Sequence, residues 1–153
     1  MPYTETQAQC GLGTIFAINT GTASTPTWTT IGEIVTAPQS GRMAKTADAT
    51  NLESLGVEWI ATLIDSGNFD VTTNRVAGDA GQVAVEAAFV GKSRQQYKVT
   101  LPIAAGQTTA GDTYSFSALV EESNPLADIS TDKVIQDKFK LKVSGVITFA
   151  AGS

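Results

Sequence analysis

Residues 138–149 alternate without a break. Phe139, Leu141, Val143, Gly145, Ile147 and Phe149 fall on one side of an extended chain. Lys138, Lys140, Lys142, Ser144 and Thr148 fall on the other, with Val146 as the one apolar residue among them. Successive side chains of a strand point to opposite faces. Wound as a helix, the same residues would spread around the whole axis. Extended, they separate into an apolar face and a solvated face, which is the pattern of an antiparallel sheet with one side on a core. The segment predicts the last strand of such a sheet, with Phe139, Leu141, Val143 and Ile147 buried. The lysines on its other face read as a solvated surface, which also discourages unwanted edge pairing. A nucleic-acid face is the competing reading of that stripe.

Other segments share the period of two. Residues 11–18 and 28–35 read as early strands. In the second, Trp28, Thr30 and Gly32 lie on one face, and Ile31, Glu33 and Val35 on the other. Residues 69–76 alternate Phe69, Val71 and Thr73 against Asp70, Thr72 and Asn74. Residues 96–102 set Tyr97, Val99 and Leu101 against Lys98 and Thr100. Residues 113–121 set Tyr114, Phe116, Ala118 and Val120 against Ser115 and Ser117. Val99, Leu101, Tyr114 and Phe116 therefore join the expected core. Residues 57–64 are apolar and short, compatible with a strand or a turn of helix, and residues 65–68 read as a turn. One helix is expected over 79–90. Asp79 and Gln82 have capping-box spacing, and Gly91 suits the left-handed position that ends a helix.

From Thr36 to about Glu53 the alternation dissolves into Ala, Gly, Ser, Thr and Pro, with Arg42 and Lys45 as the only bases. A segment of this length without secondary structure is unusual inside a compact domain, and such a segment usually has work outside the core. The sum is one domain over 1–153 with a flexible segment at 1–10. Its class is mainly β with some α: an antiparallel β-sandwich or small barrel, flanked by one α-helix and carrying a long irregular loop or hairpin between early strands.

The chemistry of most enzyme classes finds no foothold. The chain has no histidine, hence neither the commonest general base nor the commonest metal ligand. Its lone Cys10 rules out an intrachain disulfide and reads as a small semi-buried residue. Gly91-Lys92-Ser93 has the tail of a phosphate-binding loop, but Glu86 stands where that loop needs glycine. Gly11-Leu12-Gly13 precedes a strand, the wrong context for a dinucleotide turn. The oxygens of residues 65–70 lack the glycine and distant glutamate of a calcium loop. No catalytic, cofactor or metal residue is expected. Charged residues are only 16% of the chain and the net charge is −5. A sparsely charged surface buries readily against other subunits, and an acidic balance is the opposite of a duplex-binding protein. No apolar run is long enough to span a bilayer, and the N-terminus lacks the regions of a signal peptide.

The order and spacing of these segments resemble the major tail tube proteins of long-tailed, non-contractile bacteriophages. The resemblance rests on WTTIGEI at 28–34, VEWIATLIDSGNFD at 57–70, DAGQ at 79–82, YKVTLP at 97–102 and KFKLKVSGVITF at 138–149. It covers most of residues 11–149 through degenerate motifs. It implies a structural virion protein, made in the host cytoplasm and built into the phage tail as stacked hexameric rings around a DNA conduit. Partners so implied are further copies, the tape measure, tail tip and tail terminator proteins, and DNA passing without specific binding. Residues 36–56 take the place of the family's inter-ring loop, with Pro38, Gln39, Arg42, Lys45 and Asp48 as its candidate contacts. The chain ends too soon for the immunoglobulin-like domain of some relatives. The charge balance adds an expectation of an acidic lumen, with Glu33, Glu58 and Asp70 as candidates and the three lysines turned outward or paired with a neighbour. A tube subunit of a contractile tail or injection machine is the nearest alternative. A monomeric β-sandwich binding or decoration module is the more distant one.

Overall fold

The computed structural model describes residues 8–153. Ten strands and helices follow in chain order: β1 (Ile15–Asn19), β2 (Trp28–Thr30), β3 (Ile34–Thr36), β4 (Met43–Asp48), β5 (Trp59–Asp65), β6 (Asn68–Asn74), α1 (Ala80–Val90), β7 (Gln95–Thr100), β8 (Thr113–Asp128) and β9 (Gln136–Ala150). Seven strands form one antiparallel sheet in the order β2-β1-β7-β8-β9-β6-β3, and β4 and β5 form a separate two-stranded sheet.

The large sheet curls over itself. In a flat sheet β1 and β6 would lie about 19 Å apart, four strand spacings of nearly 5 Å. Yet the Phe16 ring on β1 meets the Phe69 ring on β6 edge-on at 5.8 Å. The two edge strands, β2 and β3, are joined by residues 31–33 alone, so the chain itself draws the edges together. At this crossing Ile31 is buried, and its amide donates to the Phe16 carbonyl (2.8 Å). The enclosed core holds Phe16, Ile18, Phe69, Val71, Tyr97, Phe116, Phe139, Leu141 and Val143, with Val85 from the helix. Phe69 stacks on Phe116 at 4.7 Å, and Phe116 on Tyr97 at 5.8 Å.

α1 packs on β8, β1 and β2. Asp79 caps it by accepting from the Gln82 amide (2.9 Å) and from the Gly32 amide (3.2 Å). Gln82 does not close the capping box on Asp79. Its side chain donates to the Gly32 and Asn74 carbonyls and accepts from the Val76 amide, tying the helix start to both neighbouring segments. Gly81 allows the closest approach: a Cβ there would lie 2.3 Å from the Thr30 carbonyl oxygen. At the other end Gly91 keeps a right-handed φ of −76°, and Lys92 adopts the left-handed turn at φ 51°. The expected place of the left-handed residue is thus off by one.

The alternating segments lie where their period put them, with corrections at the ends. Phe69, Val71 and Thr73 point inward, as do Tyr97, Phe116, Ala118, Phe139, Leu141 and Val143. Val99, Leu101, Tyr114 and Ile147 are only half-buried; of these, Val99 and Ile147 still pack against the core. The register of β8 against β9 slips between Ser115 and Ser117, and Gly145 opposite takes φ 89°. Past this bulge Phe149 is half-exposed beside Tyr114. The second expected strand is broken in two: Glu33 takes φ 55° and is exposed with Val35, so neither shares the buried face of Ile31. Cys10 is exposed rather than semi-buried. The flexible segment expected at 1–10 falls mainly outside the described residues.

Candidate assembly surface

Residues 36–56, whose pattern gave no secondary structure, contain β4. It pairs antiparallel with β5 through Met43↔Asp65, Ala44↔Ile64, Thr46↔Ala61, Ala47↔Ile60 and Asp48↔Trp59. The short apolar segment at 57–64 is therefore a strand, and the two make a projecting hairpin. Its base is tied to the large sheet. Ser66 donates to the Gly145 carbonyl (2.8 Å), the Gln39 amide to the Ser66 carbonyl (3.1 Å), and the Asn68 amide to the Ser40 hydroxyl (2.8 Å). Asp65 closes the turn into β6 by accepting from the Gly67 amide (2.9 Å). That bond, helped by the charge of Lys142, holds its carboxyl below the usual carboxylate range.

Beyond this base the hairpin has no cover among the described residues. Trp59 and Ile60 are successive strand residues and so point to opposite faces. They are 61% and 55% exposed, so neither face of the hairpin rests on the core. Met43, Leu63 and Ile64 are exposed as well, and Leu52 and Leu55 at the tip are fully so. A lone two-stranded ribbon is marginally stable in water, and exposed apolar side chains concentrated on one element mark an interaction surface. The tip is nonetheless shaped by its own polar groups. Asp48 accepts from the Thr50 amide (2.9 Å), and hydrogen bonding from the Thr50 side chain and then from that amide lowers its pKa; Asn51 accepts from the Glu53 amide (2.8 Å); and Ser54 donates to Glu58 (3.0 Å).

The candidate residues are scattered over this architecture. Pro38 and Gln39 belong to the base: the Pro38 carbonyl accepts from the Asp70 amide (3.1 Å), and Gln39 bridges Phe69. Arg42 precedes β4, Lys45 lies within it, and Asp48 ends it, all three exposed. Glu33 stands at the crossing between β2 and β3, Glu58 at the hairpin tip and Asp70 in mid-β6. The structure does not bring these three carboxylates together. Asp70 is the register partner of Lys140, and their charged groups lie 3.9 Å apart. Lys142 likewise donates to Asn68 (3.3 Å). Asp70 and Lys140 thus share one sheet face within a single chain. Sequence reasoning missed the exposure of the apolar residues of β5, and the signal for it was apolar residues on both faces of the segment, Trp59 and Leu63 on one and Ile60 and Ile64 on the other.

Among the described residues no helix is long and apolar enough to cross a membrane, and no three acidic or sulfur side chains gather as a metal site. No protein-family profile matches the sequence, and no curated protein matches it. Solved structures do match the fold. The SPP1 tail tube, determined by solid-state NMR and cryo-EM, superposes with a TM-score of 0.68 at 15% identity, over 95% of this chain and 80% of that one. The tail of an empty gene transfer agent particle, refined with C6 symmetry, gives 0.68 at 16% identity, over 94% and 100%. The sheath–tube complex of the PVC extracellular contractile injection system gives 0.66 at 10% identity, over 94% and 92%. A mainly antiparallel chain with one helix that superposes almost end to end on these structures has the tail tube fold.

Proposed function

We propose that this chain is a structural subunit of a phage tail tube. Copies of it assemble into hexameric rings, and the rings stack into a hollow conduit that delivers DNA. The observation that carries the reading is the β4–β5 hairpin, which displays apolar residues on both faces that no described residue of its own chain covers. Joined to a fold shared with tail tubes, such a hairpin is an assembly arm. Residues 36–56 supply half of it, and the contact is with a neighbouring ring. The free edges of β2 and β3 serve the same end, since closure of strands around a ring removes edges that a monomer leaves open.

The role is structural and needs no catalysis. The protein is a virion component whose partners are its own copies, the tape measure, and the tip and terminator proteins at the ends of the tube. DNA passes without being held, consistent with a net charge of −5 per subunit. A tube subunit of a contractile injection machine is the second reading, favoured by the superposition on the PVC sheath–tube complex. The test is sedimentation of the purified chain over a range of concentration. Large species that grow with concentration support a tube subunit, and a monomer throughout contradicts it. Co-assembly with a sheath protein selects the second reading.

A further inference from the structure

The core is left open at one end. Beneath α1 a groove of about 520 Å³ runs between the helix and the ends of β6, β8 and β9. Val83, Glu86 and Val90 line its helix side, and Thr73, Pro125 and Phe139 its sheet side. Val83 and Val90 are more than half exposed. The Thr73 hydroxyl lies at the floor, buried and without a hydrogen-bond partner among the described residues. Most charges at the groove are already engaged: Glu86 accepts from Ser123 (2.6 Å), and Asp137 faces Arg75 at 3.5 Å. Lys138 has no ion-pair partner among the described residues.

The hairpin tip has the complementary character. Residues 48–58 carry Asp48, Glu53 and Glu58 and no base, and Leu52 and Leu55 stand fully in solvent. Tip and groove also lie at opposite ends of one strand. The hairpin leaves β6 at Asn68, beside Lys142, and the groove opens past Asn74, beside Gln136. Six residue steps put these ends about 20 Å apart, so a chain meets its own groove poorly, while a second copy displaced along β6 presents its tip there. Resting on the tube reading above, we infer that the hairpin tip of one copy docks in the groove beneath α1 of a second copy. Leu52 and Leu55 lie against Val83 and Val90, Glu53 faces Lys138, and a tip polar group engages the Thr73 hydroxyl. Such a contact is heterologous: each copy uses its tip on one neighbour and its groove on another, and the contact propagates.

The experiment places Leu55→Cys and Val83→Cys together in a full-length Cys10→Ser chain and oxidises it mildly after assembly. A ladder of dimers, trimers and higher species on a non-reducing gel is expected from the double variant, and at most dimers from either single cysteine. Assembled protein without a ladder overturns the docking while the tube reading stands. Bonds confined within one chain, or Leu55→Cys coupling to itself as fully as the pair does, also overturn it. A parent chain that stays monomeric at every concentration overturns both. The second arm reverses charge. Glu53→Lys or Lys138→Glu alone is expected to raise the concentration needed for assembly about tenfold, and the two together to restore it. Failure of the paired reversal to recover any of the loss contradicts the contact.

Discussion

Tyr97 sits at the centre of the core between Phe16 and Phe116, with its hydroxyl buried and without a partner among the described residues. Burial pushes the phenol pKa far up, because the phenolate is not solvated there. A buried unpaired hydroxyl costs stability that a phenylalanine does not, so Tyr97→Phe is expected to leave the melting temperature unchanged or raise it. A clear fall in a thermal melt would mean that the hydroxyl has a partner. Leu141 is the opposite case, an aliphatic side chain with no exposed surface. Leu141→Ala should cost about 2–5 kcal/mol through lost burial and the cavity left behind. Denaturant unfolding reads this directly, and a loss below about 0.5 kcal/mol would place the residue at the surface. Asp65 gives the pH dependence. Its folded pKa is lowered, so its contribution is present above about pH 4, where a free carboxylate ionises. That contribution is lost as the pH falls through the lowered value. Asp65→Asn keeps an oxygen for the Gly67 amide but titrates nothing. It should therefore flatten the acid arm of the stability curve, and an unchanged acid arm would remove Asp65 from the account.

Elements that face the core on one side were legible, and elements exposed on both sides were not. β6 and β9 announce themselves because Val71 and Leu141 point inward while Thr72 and Lys140 point to water. β4 was hidden because both its sides are exposed, so Met43, Ala44 and Lys45 carry no alternation to read. The outer half of β8 was hidden for a related reason: past Ala118 it pairs with β9 alone, and Asn124 and Pro125 give it the look of a turn. The break at Gly32 and Glu33 is a sheet closing on itself, a long-range event that local pattern does not record. The partnership of Asp70 with Lys140 was hidden for the same reason, since it is set by the register of distant segments. The hairpin yields its own prediction. Met43 and Asp65 are paired, so a two-residue Asn-Gly turn in place of residues 44–64 closes the gap with hairpin geometry. That variant should keep the circular dichroism and cooperative melting of the parent and lose the ability to form large assemblies. Unfolding of the shortened chain would show that the hairpin belongs to the core.

At the scale of the molecule, a curled core supports surfaces that the described residues leave uncovered: the hairpin, two short sheet edges and the groove under α1. The low charge content suits burial between subunits, and the acidic balance suits the proposed conduit, which must release what it carries. Purified protein should not retard duplex DNA in a gel even at about 50 mM salt, where basic proteins bind most strongly; retardation there would contradict a non-gripping conduit. The tube proposed for copies of this chain is tested most directly by electron microscopy of the purified, concentrated protein. Hollow tubes of uniform diameter, with six-fold symmetry in end-on averages, are the predicted result. A field of separate monomers, or solid fibrils without a lumen, would contradict it.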